Sequence, residues 1–403
     1  MNIGIFTDAY YPYISGVVTS VMTLEEELKA LGHNVYIFTL ANEEISNLHK
    51  DNVITFDGIT VPTARLKAFK LSFRLRTKLK YVKKYNLDVI HLHTEFSMAR
   101  LAVLASKKYN IPLVYTLHTL YEDYLQYISK TIDKYFHDNF LHSLATILLK
   151  KVNKRANIKI VPTRKTLSNV SKYCLDGNFR VIPTGLDLNK LISKKLDKEE
   201  IAKFKESLNI PKDKLVLLSL GRISEEKSID VLLRSMTKID DSAILLVVGD
   251  GPYLAELKLL ASNLGLDNDK VRFMGFVEWE NIVPYYQVSD LFLNASKTET
   301  QGLTYIEALS LGTPILVQKD ECLEDILIEG VNGYYFVDEN ELVQNLINII
   351  NNKDMILKLK DNTFSSVSNY SKENYAFSCL EAYKDAISIN NKGKIKFIHS
   401  KIY

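Results

Sequence analysis

The chain is expected to be an α/β protein made of two doubly wound, Rossmann-like domains facing across a cleft. Short apolar runs alternate with amphipathic stretches of helix length from the first residue onward, which is the pattern of a parallel sheet covered on both faces. The alternation lapses in the charged stretch Lys190 to Lys214, where little core material is expected at the start, and then begins afresh. A length of 403 residues suits two hydrophobic cores better than one.

Met1–Thr7 reads as the first strand, Asp8–Gly16 as a tyrosine-rich loop, Val17–Leu31 as a helix closed by Gly32, and Val35–Leu40 as the next strand. Ligands of such sheets lie at the carboxyl ends of the strands. Gly16 is therefore a place where a ligand could meet bare backbone, or a glycine that only a turn requires. Leu66–Lys84 carries eight basic residues, Lys67, Lys70, Arg74, Arg76, Lys78, Lys80, Lys83 and Lys84, and no acid. Its apolar residues keep a three-or-four spacing, so it reads as a basic amphipathic helix. That helix either lies on an anionic membrane surface or is solvated and packs its stripe on the core. Nucleic acid would also attract it, but no recognisable nucleic-acid motif accompanies it.

Asp88–Leu92 is a further strand with His91, His93 and Glu95 at its end, and Val114–Leu117 is another, closed by His118. The His-x-His pair lacks a third ligand of suitable spacing, so a polar pocket is expected here and no metal. A helix over Phe136–Ala156 brings Lys150, Lys151, Lys154 and Arg155. Strands at Ile158–Val161 and Arg180–Ile182 complete a first domain spanning residues 1–186.

The second domain, 187–373, has strands at Leu215–Leu220, Ile244–Val248, Val271–Met274, Leu291–Leu293 and Ile315–Val317. Arg222 and Lys227 follow the first of these, where both could neutralise a diphosphate. Gly249-Asp250-Gly251-Pro252 follows the second. A last helix, 374–389, is expected to pack back on the first domain, with a loose basic tail after Asn390.

Composition narrows the class. Apolar residues at 46% and charged ones at 25% describe a soluble globular protein, and no apolar run approaches the roughly 20 residues of a membrane span. The N-terminus lacks a basic region and cleavage site. Cys174, Cys322 and Cys379 have no paired spacing and fit a reducing compartment, so a cytoplasmic location is expected. Residues 1–186 hold 25 Lys+Arg against 15 Asp+Glu, or +10, while the remainder holds 26 against 33, or −7. A basic first half suggests an anionic partner for that half.

The most informative stretch is Asn294–Pro314. An apolar run ends in small polar residues, meets Gly302, and opens a helical pattern, Leu303–Leu311, that stops at Gly312 with Pro314 beyond. Backbone N–H groups at such a helix start favour a phosphate, which Gly302 would let approach. Glu299 and Glu307 flank it with seven residues between them. A carboxylate beside a phosphate seat suits sugar hydroxyls. The bland alternative is a loop acid and a helix-surface acid.

Together these positions resemble the retaining glycosyltransferases of the GT-B fold, specifically glycosyltransferase family 4. Glu299 and Glu307 match the family's Glu-x7-Glu motif, and Gly221-Arg222 with Lys227, the Gly249–Pro252 turn, Gly16 and His118 match other family positions in order. The resemblance implies a nucleotide-sugar donor, UDP-glucose foremost, and no further cofactor. Arg222 and Lys227 would hold its diphosphate, as would the backbone N–H groups of Gly302, Leu303 and Thr304. Glu307 would accept the ribose hydroxyls, Glu299 would bind the donor sugar, and His118 would contact that sugar near the reacting carbon. Gly16 would let its loop close over the diphosphate. Asp250 belongs to the matched turn, and Val277 to the segment covering the base. No Asp-x-Asp pair stands at a strand end, so leaving-group charge would fall to Arg222, Lys227 and helix N–H groups.

The segments His91–Ser97, Tyr115–Tyr124 and Thr300–Thr304 resemble the branch that glucosylates diacylglycerol. That branch implies a lipid acceptor and a peripheral place on the inner face of the cell membrane, with Asp8, His93 and Glu95 on the acceptor side. Two alternatives stand beside it: a soluble transferase of cell-surface polysaccharide and a non-catalytic nucleotide-sugar-binding protein.

Overall fold

The computed structural model describes residues 1–12, 15–42, 51–60, 70–118, 150–170 and 177–399, with backbone alone for 393–399. The chain divides into two units, Met1–Gly185 with Lys372–Tyr403, and Leu186–Ser371.

The first unit carries strands β1 (Asn2–Phe6), β2 (Asn34–Leu40), β3 (Val53–Phe56), β4 (Ile59–Thr60), β5 (Lys70–Leu71), β6 (Val89–Leu92), β7 (Leu113–Thr116), β8 (Ile158–Val161) and β9 (Phe179–Val181). Seven pair in parallel in the order β3-β2-β1-β6-β7-β8-β9, while β4 and β5 form a separate antiparallel pair. The central strands are largely apolar because both faces are covered. β1 sends Ile3 and Ile5 to one core and Phe6 to the other. Order reverses between β1 and β6, whose register sets Phe6 opposite Leu92. Thr7-Asp8 and His93-Thr94 therefore leave the sheet side by side.

The second unit has β10 (Leu215–Leu220), β11 (Ala243–Val248), β12 (Val271–Gly275), β13 (Leu291–Asn294), β14 (Ile315–Gln318) and β15 (Gly333–Phe336), all parallel in the order β12-β11-β10-β13-β14-β15. β10 repeats the two-faced pattern, with Leu215 and Leu217 in one core and Val216 and Leu218 in the other. Its reversal lies between β10 and β13. Both sheets thus have the Rossmann order, in which ligands bind outside the carboxyl ends of the strands at the reversal.

Several expectations change. β3 and β15 escape a reading for apolar runs, because Val53–Phe56 is only partly buried and Gly333–Phe336 mixes glycine and tyrosine. The basic helix spans Leu75–Lys83 and does not begin at Leu66. Lys70–Leu71 is instead a strand, and Arg74 takes a left-handed conformation (φ 52°) that interrupts the helix N-terminally. Leu66 to Phe69, with Lys67, lie outside the described residues, as do 136–149 of the expected helix and Cys174; residues 150–155 are helical. The start of the charged stretch does hold core material, since Leu191 of the helix Leu188–Ser193 is buried in the second unit. The last helix runs Lys372–His399, past the expected stop at Ile389 and into the stretch expected to be a loose tail. It belongs to the first unit, where Tyr375, Cys379 and Tyr383 pack on the core of Ile3 and Ile5.

The loops after β10 and β11 touch backbone to backbone. Ile223 N donates to Asp250 O at 2.9 Å, and a Cβ on Gly249 (φ +138°) would stand 1.9 Å from Gly221 O. Glycine is required there by both conformation and space. Gly249→Ala is expected to lower the stability of the second unit by about 3 kcal/mol, read as an earlier urea midpoint.

Candidate active site

The site of the second unit forms where its strand order reverses. β10 ends in Gly221-Arg222 and a tight turn, Glu225–Lys227, which aims Lys227 at the loop after β13. Lys227 Nζ lies 2.6 Å from Glu299 Oε1, with the two side chains 28% and 10% exposed. Burial disfavours the Glu299 carboxylate, but the Lys227 charge and hydrogen bond overcome it, helped by Ser296 and Asn294. The group is held below its usual range.

Gly302 (φ +73°) starts the helix Leu303–Ser310, and its missing Cβ leaves room for the Tyr305 ring, 2.2 Å from where that atom would sit. Neither an acid in the first turn nor a side-chain cap covers the Leu303 and Thr304 N–H groups, which head the helix. An anion is favoured there by the helix dipole and the N–H groups together. One turn on, Glu307 is buried and accepts two hydrogen bonds, from Trp279 Nε1 at 2.9 Å and Tyr286 Oη at 2.8 Å. Burial raises its pKa against those bonds. Each carboxylate oxygen keeps a second lone pair for a ligand hydroxyl.

Arg222, 55% exposed, pairs with Glu226 at 2.5 Å. Asp250 Oδ1 accepts from Gly251 N at 2.7 Å and shapes its own turn. Val277 and exposed Phe276 wall a hollow of about 570 Å³ together with Phe204 and Tyr285.

In the first unit, Gly16 begins the helix Gly16–Ala30, which Ser15 caps by accepting from Val18 N. Asp8 accepts from Thr94 Oγ1 at 2.6 Å and from Met98 N at 3.1 Å, so it also caps the helix Ser97–Tyr109. Burial raises its pKa to about 6 against those bonds. Glu95 accepts from Tyr115 Oη at 2.7 Å, and burial, opposed by that bond, raises it to about 7. His93 and His118 share a hydrogen bond, Nδ1 to Nε2, at 2.8 Å. Burial holds His118 down to about 4, so it is neutral at ordinary pH. His91 is bonded through both ring nitrogens, to Tyr383 Oη and Thr116 Oγ1. Among the described residues no three His, Cys, Asp or Glu converge as a metal site.

The structure thus joins Lys227 to Glu299 and His93 to His118, and groups Asp8 with Thr94. Sequence reasoning missed Trp279, Tyr286, Glu226 and Tyr115 as partners. Trp279 had one available signal, being the chain's single tryptophan.

Of the basic residues around the Leu75–Lys83 helix, Arg74, Arg76, Lys80, Lys83 and Lys84 are exposed. Two of the expected membrane contacts are instead tied to the fold. Lys70 Nζ donates to Ala41 O at 2.7 Å, and Lys78 Nζ donates to Asp57 O at 3.2 Å and to Ser72 Oγ. Phe73 (57%) and Tyr81 (49%) stand exposed beside these cations, with Lys80 Nζ over the Tyr81 ring at 5.0 Å.

Two Rossmann sheets, the second with an uncapped helix start beside a lysine–glutamate pair, are the architecture of GT-B glycosyltransferases. Residues 14–190 match the model of Glycosyltransferase Family 4, and residues 200–384 that of Glycosyl transferases group 1. The chain is 39% identical over 396 residues to an alpha-monoglucosyldiacylglycerol synthase of Acholeplasma laidlawii, covering 97% of this chain and 99% of that one. A Streptococcus pneumoniae protein of the same name is 35% identical, with 97% and 87% covered. The chain belongs to glycosyltransferase family 4. Among solved structures, Anabaena HepE in complex with UDP superposes with a TM-score of 0.77 over 95% of this chain and 100% of that one, at 18% identity. Sucrose-phosphate synthase from Thermosynechococcus elongatus gives 0.76, with 96% and 99% covered at 22% identity. Both share the fold.

Proposed function

We propose that the protein transfers glucose from UDP-glucose to a membrane lipid, 1,2-diacylglycerol foremost, with retention of the anomeric configuration. The observation that carries this reading is the near-full-length identity to two alpha-monoglucosyldiacylglycerol synthases, joined to the Lys227–Glu299 pair beside an uncapped helix start. The donor's diphosphate sits against the Leu303 and Thr304 N–H groups, with Lys227 and Arg222 stabilising the charge that develops as UDP leaves. Glu299, kept ionised by Lys227, accepts sugar hydroxyls, and Glu307 accepts from the ribose. His118 contacts the donor sugar. Attack and departure occur on one face of the sugar, so no protein nucleophile and no metal are required. Asp8 and Glu95 orient the acceptor hydroxyl.

The enzyme works on the cytoplasmic face of the membrane, held by the exposed cations of the basic helix, with Phe73 and Tyr81 entering the interface. No helix among the described residues is long and apolar enough to cross a membrane. Neutralising Lys80, Lys83 and Lys84 together should weaken binding to anionic liposomes by on the order of a hundredfold, at roughly 1 kcal/mol per cation. Binding of the unmodified protein should weaken with salt. Vesicle co-sedimentation measures both, and salt-insensitive binding would remove the membrane role.

The deciding experiment incubates the protein with labelled nucleotide sugars, with and without diacylglycerol liposomes. Glucosyl-diacylglycerol formed from UDP-glucose is expected. Transfer to a carbohydrate without lipid would favour polysaccharide synthesis, and UDP binding with no turnover of any donor would leave only a binding protein.

A further inference from the structure

Three histidines of the first unit stand in a row, and the donor-site assignment uses only the last. The His91 and His93 ring centroids are 4.0 Å apart, and His93 stacks on His118 at 5.1 Å. His91 is anchored by Thr116 and by Tyr383 of the C-terminal helix, each at 2.7 Å. His93 is 1% exposed and lies 2.8 Å through Nδ1 from His118 Nε2. Its Nε2 is buried with no hydrogen-bond partner among the described residues.

A hydrogen bond between two imidazole nitrogens needs one N–H and one bare lone pair. Burial keeps both rings neutral, so each holds one proton. With its proton on Nε2, His93 would bury an N–H that has no acceptor, the rarer kind of orphan in folded proteins. With its proton on Nδ1, His93 donates to His118 Nε2 and leaves only a lone pair unpaired. His118 Nε2 must then be bare and its proton must sit on Nδ1.

We propose that His93 is a positioning residue that fixes His118 as the Nδ1–H tautomer, so that His118 presents a hydrogen-bond donor to its ligand. A donor of that kind suits a sugar oxygen. This use rests on the proposed contact between His118 and the donor sugar; the tautomer itself does not.

The two are separable by experiment. In the full chain labelled with 15N-histidine, the ring shifts report the tautomer, with His118 identified by the signals that His118→Gln removes. Wild type is expected to show His118 as Nδ1–H. His93→Phe, which keeps a ring in the slot but cannot donate, should move His118 toward Nε2–H. His93→Asn, whose amide can donate from the place of Nδ1, should keep Nδ1–H. With UDP-glucose as donor, kcat/KM should fall on the order of tenfold in the phenylalanine variant and less than about threefold in the asparagine variant, as expected for one neutral hydrogen bond. His118 protonated on Nε2 in the wild type would overturn the proposal, and that spectrum decides even if a variant fails to fold. An unmoved tautomer in His93→Phe would overturn it too. A shifted tautomer with unchanged kcat/KM would support the positioning role and refute the sugar contact of His118.

Discussion

Replacing Lys227 by alanine is expected to lower kcat/KM for glycosyl transfer by about 10²- to 10³-fold, the usual cost of one donor aimed at developing charge. Lys227 meets Glu299 at 2.6 Å in a site where both side chains are mostly buried. Its removal deletes the cation proposed to face the leaving group and strands a carboxylate whose ionisation burial opposes. The second effect has a sign in pH. Glu299 is held below its ordinary value by Lys227, so the pair's stabilisation is present above the unfolded pKa and is lost as pH falls through the folded one. Without Lys227 burial dominates, the folded pKa rises, and the ionised group becomes a cost above its ordinary value. Lys227→Ala should therefore be destabilised by up to about 3 kcal/mol near pH 8 and less near pH 5. Adding Glu299→Gln should restore stability and leave activity low. Turnover of Lys227→Ala within threefold of wild type would end the site assignment.

Glu307→Ala should raise the donor KM by on the order of a hundredfold and also weaken the fold. Trp279 Nε1 and Tyr286 Oη both donate to this carboxylate; its loss leaves Trp279 without that acceptor and Tyr286 with only a long contact to Thr304 O at 3.5 Å, a cost of about 2 to 4 kcal/mol. An intact fold with a silent site is thus not the expected phenotype. Glu307→Gln has one acceptor oxygen for two donors and should fall between. Because Trp279 is the single tryptophan, its fluorescence should report both UDP binding and the loss of its partner. Unchanged UDP titration of Glu307→Ala would separate this residue from the nucleotide.

Much of this was legible in the chain. The strands fully buried on both faces, such as Ala243–Val248, read as continuous apolar runs because a parallel sheet leaves no wet side. The loop–Gly302–helix order was legible because conformation and capping are local properties. Partnership was not legible. Trp279 and Glu307 are 28 residues apart, and nothing local says that one ring nitrogen points at one carboxylate. The basic helix failed in a similar way. Eight like charges looked equivalent, yet tertiary contacts commit Lys70 and Lys78 to backbone carbonyls and leave others to solvent. Arg74 and the β4–β5 pairing override a spacing that by itself reads as a longer helix.

The helix Lys372–His399 closes the core of a unit whose other residues end at Gly185. Ser20 bonds Tyr375, and His91 bonds Tyr383, only once that helix arrives. On the ribosome, the whole of Leu186–Ser371 emerges before the first unit can be completed. The second unit, continuous in the chain, can mature first, while the earlier-made half waits with Ile3, Ile5 and Val21 uncovered by their last neighbours. Synthesis order and assembly order are thus partly inverted, and the histidine row receives its outer anchor among the last contacts of biogenesis.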